Sequence, residues 1–146
     1  NNDLAEGHYH VGGKAVALTD IRIPIFAVGT EADHVAPWQS VYKLHLFADT
    51  DVTFALTSGG HNAGIVSEPG HHDRHFRIGH TVEGAGFRDP AQWLEETDPQ
   101  DGSWWPALSD WLLVRSGSDV APPPMGKPGR PYKAICDAPG TYVMQT

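Results

Sequence analysis

Four consecutive apolar residues, Ile25, Phe26, Ala27 and Val28, closed by Pro24 before and Gly29 after, set the strongest limit on the fold. A strand apolar on both faces has to be covered on both, as in a parallel sheet flanked by helices. The residues that follow complete such a unit. Thr30 to His34 read as a polar loop, Pro37 suits the first turn of a helix, and Trp38, Val41, Tyr42, Leu44 and His45 recur at helical spacing to about Ala48. Asp49 to Asp51 interrupt that pattern. Val52 to Leu56, rich in β-branched and aromatic residues, then read as a second strand running into the glycine loop Ser58-Gly59-Gly60-His61. Strand, helix, strand is a βαβ unit with parallel pairing and a right-handed crossover, so the expected fold class is α/β.

Elsewhere the signals are weaker. Residues 1–20 read as a connecting segment or hairpin around Gly12-Gly13. The chain from His61 to Phe87 reads as irregular and His-rich. Pro90 to Glu96 suit a short helix, and residues 104–115 a longer one with Trp104, Trp105, Leu108, Trp111, Leu112 and Arg115 along a stripe. Residues 21–116 therefore form the expected core, and 117–146, with Pro122-Pro123-Pro124, a Pro-rich tail. Sixteen glycines and twelve prolines among 146 residues make the chain loop-rich. Two parallel strands are too few for a stable sheet. Together with a start at Asn1 rather than Met, this leads to the expectation of a piece of a longer protein, its remaining strands upstream.

Composition excludes several classes. Ten Lys and Arg against 18 Asp and Glu give a net charge of -8, which repels nucleic acid and anionic membrane surfaces. No apolar stretch approaches the roughly 18 residues of a transmembrane helix, and no signal-peptide pattern occurs. Cys136 stands alone, so neither an internal disulfide nor a thiolate zinc cluster can form, which fits a reducing cytoplasm.

Asp33 follows the first strand and His61 the second, so both fall at the carboxyl ends of parallel strands, where open α/β sheets place their ligands. An acid and then a histidine, in that order, match the last two members of an α/β-hydrolase triad. There the Asp holds one imidazole nitrogen while the other takes a proton from a nucleophile. The competing reading is a pair of solvated loop residues. No G-x-S-x-G or G-x-C-x-G elbow occurs, and Cys136, in the tail and without a strand-to-helix turn around it, does not read as the nucleophile.

Two further features carry alternatives. His71, His72, His75 and His80 are dense enough to suggest a metal, but Arg74 lies among them, Gly70 and Gly79 argue against a helix, and no carboxylate or thiolate framework surrounds them. A polar surface loop, with no metal, is the expectation. Trp104, Trp105 and Trp111 read either as an anchor packing the final helix on the sheet or as an exposed binding platform, and Trp38 either borders the site or belongs to the core.

At these residues the sequence resembles the carboxyl-terminal part of the polyhydroxyalkanoate synthases, α/β-hydrolase-fold enzymes that polymerise 3-hydroxyacyl-CoA. Glu31-Ala32-Asp33-His34-Val35-Ala36-Pro37-Trp38 looks like the family's acid motif. Ser58-Gly59-Gly60-His61-Asn62-Ala63-Gly64-Ile65-Val66 with Glu68-Pro69 looks like its histidine motif, and Gly102-Ser103-Trp104-Trp105-Pro106 and Ala138-Pro139-Gly140-Thr141-Tyr142-Val143 look like later signatures. The chain departs from the pattern at Asn62 and at Ser67-Glu68.

The resemblance implies the last parallel strands, crossover helix, final helix and extended tail of an α/β-hydrolase fold. It implies that His61 deprotonates a cysteine thiol for attack on the acyl thioester, and that Asp33 orients His61 or helps activate the hydroxyl of the incoming acyl unit. The thiol lies on a segment this chain lacks, so the chain alone is expected to be inactive. His34, Trp38 and Asn62 are implied substrate neighbours. No cofactor is expected beyond the substrate 3-hydroxyacyl-CoA. The implied partners are that acyl-CoA, the polyester chain or granule surface, the amino-terminal part of the same protein and a possible further copy in a homo-oligomer, in the cytoplasm at granule surfaces. Two other readings stay open: a serine esterase or polyhydroxyalkanoate depolymerase, and a non-catalytic granule-binding or assembly module.

Overall fold

The computed structural model describes residues 2–127, 129 and 131–145; Asn1 of the connecting segment and Pro128, Arg130 and Thr146 of the tail lie outside the described residues. The chain forms two compact units, residues 1–115 and 116–146.

In the first unit, β1 (Tyr9–Val11) and β2 (Lys14–Val16) form an antiparallel hairpin. Its two-residue turn needs positive φ at both central positions, which Gly12 (56°) and Gly13 (78°) supply. The main sheet follows, with β3 (Ile25–Thr30), β4 (Val52–Thr57), β5 (His75–Thr81) and β6 (Gln100–Asp101) in spatial order β3-β4-β5-β6. β3 and β4 run parallel, pairing Ile25 with Val52 through Thr30 with Thr57. The expected strand-helix-strand unit is therefore present: α1 (Trp38–Tyr42) stands between them.

Two expectations need correction. The helix opened by Pro37 does not continue to Ala48, because α1 ends at Tyr42 and passes into a 3-10 turn, Lys43–Leu46. His45 Nδ1 lies 2.9 Å from the Tyr42 carbonyl oxygen, which the amide of Leu46 would engage in a continuing α-helix. The region from His61 to Phe87 is not irregular throughout. β5 lies within it and pairs antiparallel with β4, so that the sheet is mixed.

Alternation along the strands sorts the sheet into two faces. Ala27 and Gly29 of β3, Phe54 and Leu56 of β4, and Gly79 of β5 share one face by register. That face carries the core: Trp38 and Tyr42 from α1, Phe54, Leu56, and Trp93 from α2 (Pro90–Glu96), with Ala27, Val41 and Leu94 packed against them. Gly29 lets α1 come close, since a Cβ there would lie 3.0 Å from Trp38 Cβ and 3.1 Å from Phe54 Cζ. α2 starts as its sequence dictates. Asp89 accepts from the amides of Ala91 (2.9 Å) and Gln92 (3.0 Å), and Pro90 occupies the first turn.

The opposite face bears Phe26, whose ring lies 6.2 Å from that of Trp104, stacked, and 5.7 Å from that of Trp111, edge-on. Trp111 belongs to α3 (Trp105–Leu113), and Trp104 caps it. Trp104 is buried and acts as the anchor, while Leu112, expected on the same stripe, is exposed. Arg115 completes the helix end, its guanidinium 4.2 Å above the Trp111 ring.

In the second unit, Gly126 and Lys133 form an isolated antiparallel bridge, and a short 3-10 turn spans Tyr142–Met144. Val120, Met125, Tyr132, Ile135 and Val143 are exposed, and Cys136 is an exposed free thiol. No helix among the described residues is long and apolar enough to cross a membrane.

Candidate active site

Asp33 lies three residues beyond β3, in a loop built around its own carboxylate. Asp33 Oδ1 accepts from the backbone amides of Val35 and Ala36, both at 2.8 Å, closing a turn immediately ahead of Pro37 and α1. Oδ2 accepts from the Thr30 hydroxyl at 3.4 Å and lies 2.9 Å from His61 Nδ1. The carboxyl is held down at about 2, first by the Ala36 amide, then by His61, with Val35 adding in the same direction and partial desolvation opposing them. An ionised carboxylate only accepts, so the proton in that bond sits on His61 Nδ1.

His61 arrives from β4 through a loop sewn to the acid loop. Glu31 N donates to Thr57 O at 2.9 Å and Ala32 N to Gly59 O at 3.0 Å. Gly59 adopts φ 104°, and a Cβ on it would come within 2.7 Å of the Arg74 guanidinium. The loop then folds on itself: Gly64 N donates to Gly60 O, and the amides of Ile65 and Val66 both reach Asn62 O. The Asp33 side chain is 7% exposed and that of His61 48% exposed. Among the described residues Nε2 of His61 has no hydrogen-bond partner. The arrangement is a fixed acid behind an imidazole whose outer nitrogen is open to accept a proton.

The other expected positions divide. His34 and Asn62 are exposed on the two loops that carry the pair. Trp38 does not border the site as a surface ring. It is a core residue, 8% exposed, facing Tyr42, Phe54 and Trp93, because the first turn of α1 points it at the sheet face that Gly29 leaves open. The histidines after Gly70 do not gather. His71 Nδ1 lies 3.1 Å from Glu68, His75 turns to Glu31, and His80 Nδ1 lies 3.2 Å from the Thr53 hydroxyl.

Sequence reasoning missed one neighbouring pair. His75 Nε2 lies 3.0 and 3.2 Å from the two carboxylate oxygens of Glu31, a second acid and imidazole beside the first. Because β5 runs antiparallel to β4, its first residue lies at the edge where β4 ends. The signal is the strand itself: His75–Thr81, paired antiparallel to β4, puts His75 at that edge.

No protein-family model matches the chain. Curated relatives do. The chain is 35% identical over 144 residues to the poly(3-hydroxyalkanoate) polymerase subunit PhaC of Rhizobium etli, covering 99% of this chain and 22% of that protein. It is 34% identical over 142 residues to the PhaC subunit of Rhizobium meliloti, covering 97% of this chain and 22% of the relative. Against the PhaC subunit of Cupriavidus necator it is 34% identical over 137 residues, 94% of this chain and 22% of the relative. The chain thus spans about a fifth of the length of these relatives. Similarity of this strength over nearly all its residues means that the chain belongs to the poly(3-hydroxyalkanoate) polymerase family.

Proposed function

We propose that this chain is the carboxyl-terminal part of an α/β-hydrolase-fold polymerase and supplies the acid and the base of a Cys-Asp-His triad that converts (R)-3-hydroxyacyl-CoA into polyester. The observation that carries this reading is the 2.9 Å contact of Asp33 Oδ2 with His61 Nδ1, at the ends of two parallel strands, with Nε2 open. The thiol belongs to another part of the full-length protein.

His61 Nε2 takes the proton of that thiol, whose unperturbed pKa is about 8.5, and Asp33 stabilises the resulting imidazolium. The thiolate attacks the acyl carbonyl, a sulfur-carbon bond forms, and the carbon-sulfur bond to CoA breaks. The CoA thiolate leaves with the proton returned from Nε2. The hydroxyl of a second acyl unit, losing its proton to the same nitrogen, then attacks the acyl-cysteine; an ester bond forms, the carbon-sulfur bond to the cysteine breaks, and the released thiolate takes the proton back from Nε2. No step draws on a metal or a redox cofactor. The partners are acyl-CoA and the growing polyester, and the place of action is the cytoplasm at the granule surface. Kinship with poly(3-hydroxyalkanoate) polymerases supports the substrate class.

In the full-length protein that carries this chain, His61→Ala is expected to lower CoA release from 3-hydroxybutyryl-CoA by about 10²–10⁴-fold, the usual worth of a general base. Asp33→Ala is expected to lower it as well. The 146-residue chain alone is expected to release none. Wild-type turnover in His61→Ala would overturn the assignment.

A further inference from the structure

Most of the loop that carries His61 is exposed: Asn62, Ala63, Ile65 and Val66 all face solvent, whereas Gly64 and Ser67 are buried. Its own turn bonds shape it without attaching its far side to the sheet. That attachment comes from three consecutive residues some forty positions later in the chain. Trp104 Nε1 donates to Gly64 O at 3.1 Å, Trp105 Nε1 donates to Ile65 O at 2.9 Å, and the Ser103 hydroxyl donates to Ser67 O. Ser103 Oγ in turn accepts from the Trp105 amide at 3.1 Å, which ties the clamp to the start of α3.

The clamp and the acid share one foundation. Trp104 stacks on Phe26 of β3, and Asp33 leaves the end of that same strand. Gly64 lies tight against the last residue of that strand, for a Cβ there would lie 2.5 Å from Thr30 Cγ2. Each half of the acid-imidazole pair is thereby referenced to β3, the Asp directly and the His through the Trp104 indole.

We propose that Trp104 and Trp105 are positioning residues for His61: their indole N–H groups hold the 61–67 loop so that Nδ1 stays on Asp33 and Nε2 faces outward. The proposal deepens the function given above, and rests on it for the importance of that orientation.

Phenylalanine removes the indole N–H and keeps a ring, so Trp105→Phe, at a half-buried position, is the primary variant and Trp104→Phe, at a buried one, the second. Selective 15N-histidine labelling of the full chain reads the His61 Nδ1–H directly. It is expected to be slow to exchange in the wild type and broadened or lost in Trp105→Phe. The amides of Gly64 and Val66 are expected to exchange about two- to twelvefold faster, the effect of one net hydrogen bond. Those of Phe54 and Leu56 in β4 are expected to stay unchanged. An unaltered Nδ1–H with unaltered loop exchange in both variants would overturn the proposal, and so would equal acceleration in β4, which would mean a merely structural role. CoA release by His61→Ala in the full-length protein tests the catalytic reading separately, and its failure would leave the spectral result standing.

Discussion

Asp33 shows how one carboxylate organises a loop and orients a base together. Its carboxyl titrates at about 2 rather than at the ordinary 3.8 because the ionised form accepts from two amides and from His61. A folded pKa below the unfolded one means that the unfolded chain binds the proton more readily. The stabilisation is then fully present above the unfolded value and disappears as pH falls from about 4 through about 2. We expect urea unfolding to place Asp33→Ala below the wild type at neutral pH, with the gap narrowing over that acid window; a gap independent of pH would show that the carboxylate charge is not what holds the loop. Asp33 and His61 were legible in the sequence because strand ends are readable and the ends of parallel strands converge. The indoles of Trp104 and Trp105 were legible only as an apolar anchor or a binding platform. Their polar function is a bond to backbone carbonyls, which leaves no residue pattern at the receiving end.

At the scale of elements, β3 and β4 were readable because both are uninterrupted apolar or β-branched runs, and α2 because Asp89 and Pro90 mark its start. β5 was not. Phe76 and Ile78 begin an alternation, but the face that meets the core carries His75, Arg77 and Gly79, and the next position on the Phe76 face is His80, so that no period of two emerges from the side chains. Gly79 is small for a reason that lies in another element. Trp93, fully buried, rests on it, and a Cβ there would lie 2.5 Å from the indole Nε1 and 3.2 Å from Cε2. Strand hydrophobicity is supplied at this point by the helix. Gly79→Ala is therefore expected to destabilise by about 1–3 kcal/mol, the cost of overpacking a filled core, although alanine ordinarily suits a strand better than glycine. Urea midpoints of variant and wild type measure it, and a change within ~0.5 kcal/mol would mean that the ring moves aside freely.

Over the molecule as a whole, the sheet is closed by β6 at one side and stops at β3 on the other, among the described residues. β3 is the wrong kind of strand for an edge. It is apolar on both faces and parallel to its one neighbour, whereas edges are ordinarily short or guarded by charge. Its hydrogen bonds alternate: Ile25 N reaches Asp51 O and Glu31 N reaches Thr57 O on the β4 side, so the amides of Phe26 and Val28 point the other way. A chain that spans 22% of its relatives' length leaves ample sequence in a full polymerase to supply a strand there. In the dilute 146-residue chain, the amides of Phe26 and Val28 are expected to exchange with solvent on the order of a hundredfold faster than that of Ala27. In the full-length protein all three should be comparably slow. Fast exchange at Phe26 and Val28 persisting in the full-length protein would show that β3 is a true edge, and the four-stranded sheet would then be the whole of the sheet rather than one side of a larger one.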